Sequence, residues 1–193
     1  MKQFLESANL LQTITLEAEK NSAGAKALLE RLSEAQLSWT PAPNSWSMAQ
    51  CVDHLTTTSK AFEPYLTTAI KRGSEKWPVR SAIPYRPSWV GGWLIKQVLP
   101  EATRKVPSPK VFRPLHTPAI ANVLDNYLKQ QDEFIRFVRQ AEGIDYNATR
   151  LRSPVTPLMR YSLADAFVVT VVHGWRHLAQ ARRICETPGF PAN

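Results

Sequence analysis

Three histidines carry the chemistry for which this sequence can be read. The stretch "VVHGWRHLAQ", residues 171–180, sets His173 and His177 four positions apart in an otherwise apolar run, with Arg176 directly before the second. The chain has only four histidines. Side chains at i and i+4 of a helix share one face, with Cβ atoms roughly 5–6 Å apart, so such a pair can hold one metal ion. A third histidine, His54 in "SWSMAQCVDHLTTT", stands at the edge of an apolar stripe with Cys51 one turn earlier. Facing helices in a bundle bring side chains together in the core, and three imidazoles leave a divalent ion one open position for water or substrate. The opposing reading is that all three are core or interface histidines.

The neighbours of these residues divide in the same way. Asp53 cannot point in the direction of adjacent His54, which makes it a solvated or capping charge. Gln180, three residues after His177, either orients a ligand or makes a packing hydrogen bond. Arg176 faces away from the His173/His177 side and is expected to pair with an acid on another helix. Cys51 is a soft ligand or a small buried apolar residue. His116 is a proton shuttle or an exposed loop histidine, and Trp46 is expected to pack the loop before a Ser47 helix cap as a hydrophobic staple.

Four helical stretches must position these groups. The first, residues 3–33, carries Leu5, Ala8, Leu11, Thr15, Ala18, Leu28 and Leu32 at helical period, with Gly24 weakening its middle. The second opens at Ser47 with Gln50 three residues on, a capping box, and runs to about Arg72, with a kink or local break expected at Pro64. The third begins at Thr117-Pro118, an N-cap with proline at the first helical position, and ends near Gly143. The fourth opens at Ser162 with Asp165 three residues on and ends near Cys185, before Thr187-Pro-Gly. Its middle, "AFVVTVVHGW", is β-branched enough to read as a strand, but length and capping favour a buried helix. No alternating strand pattern is evident, so the fold class is all-α, a four-helix bundle with a long crossover between the second and third helices.

That crossover, about residues 73–117, is longer than a bundle connection needs, and "SWVGGWLIKQVL" within it reads as a short amphipathic helix suited to a lid, a dimer contact or a membrane-facing element. The net charge of +8 is concentrated here: residues 71–113 hold ten Lys or Arg against Glu75 and Glu101. Trp77, Trp89 and Trp93 are interleaved with the cations, a pattern compatible with nucleic acid or an anionic membrane surface. Many prolines and the lack of a nucleic-acid motif favour a solvated insertion bordering a pocket. At 193 residues, 44% hydrophobic and 21% charged, the chain reads as one globular domain, 1–193. Glu6, Glu17 and Glu19 near the start argue against a targeting peptide, and no apolar run is long enough to span a membrane, so a soluble, cytoplasmic protein is expected. Two cysteines, Cys51 and Cys185, are too few for a disulfide framework.

The run "LSEAQLSWTPAPNSWSMAQCVDHL", residues 32–55, resembles the loop and second helix of the DinB-like (DinB/YfiT) superfamily, and "VVHGWRHLAQARRI", residues 171–184, resembles its last helix. The resemblance implies a four-helix bundle whose histidine triad, here His54, His173 and His177, holds a divalent metal, usually zinc or nickel. It further implies a small-molecule substrate, with characterised relatives including S-transferases and isomerases that use bacillithiol, mycothiol or glutathione, as well as metal-dependent hydrolases. Relatives often pair, and with tryptophans flanking the crossover a homodimer is expected. Coordination to such a dication deprotonates a thiol, or brings a bound water to a pKa of about 7, so either thiol transfer to a small electrophile or hydrolysis would follow. A non-catalytic metal-binding or stress-response protein is the remaining alternative.

Overall fold

The computed structural model describes residues 1–102, 107–115 and 120–192. Its elements in order are α1 (Lys2–Leu5), α2 (Leu10–Leu29), α3 (Glu34–Ser38), α4 (Met48–Lys76), α5 (Trp89–Val98), two 3₁₀ turns (Lys110–Phe112 and Ile120–Asn122), α6 (Val123–Gln140), a hairpin of β1 (Arg150–Arg152) and β2 (Arg160–Ser162), and α7 (Leu163–Cys185). The four long helices α2, α4, α6 and α7 form a four-helix bundle. Packing of α4 on α6 and α7, and of α2 on the same two helices, sets the order α2–α6–α4–α7 around it.

Two of these helices start where their caps dictate. The Ser47 hydroxyl accepts from Gln50 N at 3.2 Å while Gln50 Oε1 accepts from Ser47 N at 3.0 Å, so α4 begins with two of its orphan donors satisfied. Ser162 and Asp165 reproduce that exchange at the start of α7, both legs at 3.0 Å. Pro64 does not break α4. It lies on the exposed face together with Lys60, whose carbonyl would otherwise receive the missing N–H, so water can serve that oxygen instead.

Two expectations from sequence need correction here, the unbroken first helix and the absence of strands. The first helix is not continuous from residue 3: Asn9 adopts extended backbone, and its side chain accepts from Gln12 N at 3.2 Å, which starts α2 afresh at Leu10. Its buried residues are Leu10, Leu11, Ile14, Glu17, Ala18, Asn21, Ala25 and Leu29, so Leu11 and Ala18 of the expected stripe are buried, whereas Leu5 is exposed. A short α3 follows, capped reciprocally by Ser33 and Gln36. The antiparallel hairpin pairs Arg150 with Ser162, Leu151 with Tyr161 and Arg152 with Arg160, where no strand was expected. The Thr117-Pro118 start lies outside the described residues; α6 itself begins at Val123 after a 3₁₀ turn.

The crossover does contain the expected short helix, α5, capped by the Ser88 hydroxyl on Gly91 N at 3.1 Å. It packs across the outside of α7, with Ile95 fully buried. At its start, Asp165 accepts from Tyr85 Oη at 2.8 Å, from Ser88 N at 3.3 Å and from Ser162 N at 3.0 Å, so one buried carboxylate ties the crossover to the first turn of α7. Gly91 makes this approach possible, because a Cβ there would stand 2.0 Å from the Asp165 carboxyl carbon. At its end, Arg176 Nη1 donates to the carbonyls of Leu99 at 2.7 Å and Ala102 at 3.1 Å. Arg176 therefore closes the C-terminus of α5 and, among the described residues, pairs with no acid, contrary to the expectation from sequence; exposed carbonyls at a helix end are good partners for a guanidinium.

Apolar side chains gather into two clusters. One contains Ala25, Met48, Cys51, Val52, Leu55 and Ala181; the other contains Phe62, Leu66, Val168, Val171 and Val172. On α7, His173 and His177 fall between the positions of the two sets, and on α4 His54 stands beside Leu55 of the first, so the three histidines form a polar layer near the boundary of the clusters. No helix among the described residues is long and apolar enough to cross a membrane.

Candidate metal centre

α4 and α7 are packed against one another, and the three histidines meet at that contact. Their potential ligand nitrogens all lie within 4.8 Å of one another. His54 Nε2 is 3.2 Å from His173 Nε2. Ring centroids are 5.0 Å apart for His54 and His173, 4.6 Å for His54 and His177, and 4.5 Å for His173 and His177. His54 and His177 are buried, and His173 keeps part of its surface open.

The tautomer of His54 follows from its partner. Nδ1 contacts the backbone carbonyl of Phe112, which can only accept, so Nδ1 carries the hydrogen and Nε2 presents a lone pair to the other two rings. The Phe112 ring stacks on Phe62 at 5.9 Å, and Leu115 N donates to Asp53 Oδ2 at 2.8 Å. Asp53 is thus neither a free surface charge nor a partner of His54. It fastens the crossover strand whose carbonyl orients His54.

Trp46 adds a wall to the centre, its ring 4.8 Å from His54 and 5.8 Å from His177. The sequence placed Trp46 as a loop staple only; its contact with two histidines on different helices is a tertiary feature without a local signature. Gln180 lies beyond His177 and its side-chain amide favours the protonated ring, although His177 Nδ1 itself has no hydrogen-bond partner among the described residues. Cys51 is fully buried among apolar residues, and burial pushes its thiol up to about 12, so it stays protonated and packs as a small hydrophobe. His116 lies outside the described residues.

All three imidazoles are disposed to be neutral. Burial is the chief cause in each case: it lowers His54, takes His177 down to about 3 with help from His54 and Arg176, and holds His173 well below the usual histidine range, reinforced by its two neighbours and Arg176. Protonating one ring would place a charge in a dry site beside a fixed guanidinium, whereas a dication would satisfy three lone pairs at once. A buried ring nitrogen without a partner, two Nε2 atoms in close opposition and an all-nitrogen donor set fit a borderline divalent ion such as zinc or nickel.

These shifts give a signed expectation for the metal-free protein. The unfolded chain takes up protons on these histidines as pH falls below 6.5, while the folded state resists until much lower pH. Stability is therefore complete above pH 6.5 and declines as pH falls toward about 3. Thermal melts of the metal-free protein over this range should show a steeper decline than a triple His→Gln variant; equal declines would contradict the assigned environments. A second expectation concerns Asp53→Ala. Freeing Leu115 N should loosen the Phe112 carbonyl from His54 and weaken zinc affinity about 10-fold, the lower end of what loss of an outer partner costs. Competition with a chromogenic chelator measures it, and unchanged affinity would show that the strand stays in place without Asp53.

The space next to the centre is small. A cavity of about 290 Å³ is lined by Trp46, Gln50, Ser108, Arg113 and Pro114 and shares Trp46 with the histidine layer. A larger one of about 630 Å³ lies between α2, the end of α6 and residues 79–82, and none of the three histidines lines it.

The comparisons with known proteins agree with this architecture. No curated protein matches the chain. Among solved structures, YfiT from Bacillus subtilis superposes with a TM-score of 0.61 over 96% of this chain and 93% of its own, at 16% identity. That protein is described as "a probable metal-dependent hydrolase with an unusual four-helix bundle topology". Residues 17–181, which include all three histidines, match the DinB superfamily. The chain belongs to the DinB superfamily.

Proposed function

We propose that this protein is a divalent-metal-dependent enzyme acting on a small electrophilic substrate, in which His54, His173 and His177 would hold zinc or nickel. The observation that carries this reading is the convergence of three neutral imidazoles, within 4.8 Å of one another, at a partly open point of an otherwise apolar core. The bound ion would act by acidifying a thiol or water ligand.

The chain's own residues do the rest. The Phe112 carbonyl keeps the His54 lone pair aimed at the centre, Trp46 screens the centre from bulk water, and Arg113 presents a cation to the adjoining cavity while its Nε holds Ser108 O at 3.3 Å. A low-molecular-weight thiol with a free carboxylate suits that cavity, because a guanidinium can bind the carboxylate bidentately. Thiol transfer is accordingly the first reading. Hydrolysis is the second, supported by the description of the structurally similar YfiT.

One assay series separates them. Untagged protein loaded with zinc or nickel is offered 1-chloro-2,4-dinitrobenzene with glutathione, cysteine or mycothiol, and p-nitrophenyl acetate without thiol. Thiol-dependent turnover that disappears with chelator and returns with metal supports transfer; ester turnover with the same metal response supports hydrolysis. Activity that survives complete metal removal overturns the proposal.

A further inference from the structure

The side of the molecule formed by α5 and the hairpin has a composition that the proposed reaction does not use. On α5, only Trp89, Trp93 and Lys96 are exposed, spaced i, i+4 and i+7, so they form a single outward stripe. Trp89 is 87% exposed, an unusual state for the largest apolar side chain. β2 lies against α5, and the hairpin turn carries Leu158 at 92% exposure between Pro154 and Met159, with Pro157 beside it stiffening the turn.

The charges around this apolar set are mostly positive, with exposed Glu75 and Glu101 at the borders of the crossover segment and Asp165 buried beneath the start of α5. Residues 76–100 hold Lys76, Arg80, Arg86 and Lys96 and no acid, and residues 148–164 hold Arg150, Arg152 and Arg160 and no acid. Arg152 and Arg160 stand directly opposite each other across the hairpin, both exposed. No ion pair joins either to an acid among the described residues. Like charges opposite one another on a strand pair are destabilising unless something external neutralises them.

From this arrangement we infer that α5 and the β1–β2 hairpin form a docking surface for an anionic lipid bilayer. Tryptophan prefers the headgroup level, a rigid exposed leucine reaches the acyl boundary, and flanking arginines meet the lipid phosphates. Charge complementarity selects this occupant. A second copy of the chain would bring Arg86, Lys96, Arg152 and Arg160 against their own kind, and the sequence carries none of the nucleic-acid-binding motifs. The bilayer is touched and not crossed.

The test uses the full-length, metal-loaded protein in co-sedimentation with vesicles of phosphatidylcholine alone and of equal parts phosphatidylcholine and phosphatidylglycerol. Partitioning onto the mixed vesicles should exceed that onto neutral ones at least about tenfold, weaken with added salt, and shift tryptophan emission to the blue. Arg152→Gln with Arg160→Gln should reduce it by about fivefold per charge removed. Trp89→Ser with Trp93→Ser should reduce it further and abolish the emission shift. All four positions are exposed, so both variants should keep their circular dichroism and bound metal. Equal partitioning onto the two vesicle types, or partitioning that neither variant lowers, overturns the inference. So does a dimer in solution that Trp89→Ser/Trp93→Ser dissolves, which assigns the face to a second copy, or tighter binding to a single-stranded oligonucleotide than to the mixed vesicles, which assigns it to nucleic acid.

Discussion

His173→Ala is expected to leave the protein folded and without metal. His173 is the least enclosed of the three histidines, so its truncation disturbs packing little, but its Nε2 stands 3.2 Å from that of His54 and its loss reduces the donor set to two. Two imidazoles do not make a closed or catalytic zinc site. Parent protein purified without a tag should carry about one equivalent of zinc or nickel, and the variant almost none. The same contrast should appear in stability: an ion at a thousand times its dissociation constant stabilises the folded state by about 4 kcal/mol, so zinc should raise the melting temperature of the parent and leave the variant unmoved. Equal metal uptake by the two proteins would show that the ion sits elsewhere and that the histidines only fill the core.

The largest loss of stability away from that centre should come from Asp165→Ala. Its carboxylate is the acceptor for Tyr85 Oη, Ser88 N and Ser162 N, and each would be left in an interior where an unmet donor costs about 1–3 kcal/mol. Burial and the Asp165 charge both push the Tyr85 phenol up, so this hydroxyl remains a donor at any working pH. A total of roughly 4 kcal/mol is expected from denaturant unfolding, allowing for partial relaxation. Gly91→Ala should also destabilise, because its Cβ would meet the same carboxyl group, whose oxygens lie 2.2 Å and 2.4 Å from that point. Combining the two changes should cost less than their sum, since alanine at 165 removes what alanine at 91 collides with. Simple additivity would mean that the two residues act independently and that the close approach is not what glycine permits.

Which of these features could be read from the chain depends on how local their causes are. The starts of α4 and α7 were legible because Ser47/Gln50 and Ser162/Asp165 write a capping box in four residues, and the shared face of His173 and His177 was legible because they repeat at helical spacing. The interruption before α2 was missed because Asn9 falls inside a stretch whose apolar spacing continues across it. The hairpin was missed because strands of three residues, "RLR" and "RYS", are too short to display alternation. The sequence shows Asp165 only as a capping residue; its role as acceptor for Tyr85 and Ser88 depends on positions about 80 residues away. The contact of Trp46 with His54 and His177 and the role of the Phe112 carbonyl are tertiary for the same reason, and a backbone oxygen has no letter in the sequence at all.

The two fastenings of α5 have a consequence for how the molecule comes apart. Asp165 binds the start of this helix and Arg176 its end, and both belong to α7, the helix that also supplies His173 and His177. An exposed insertion held by one contact would open alone, as a low-energy local unfolding event. Held at both ends by one helix, α5 should instead open together with α7 as a single cooperative unit, so its amide hydrogens should exchange as slowly as those of the bundle despite its place on the outside.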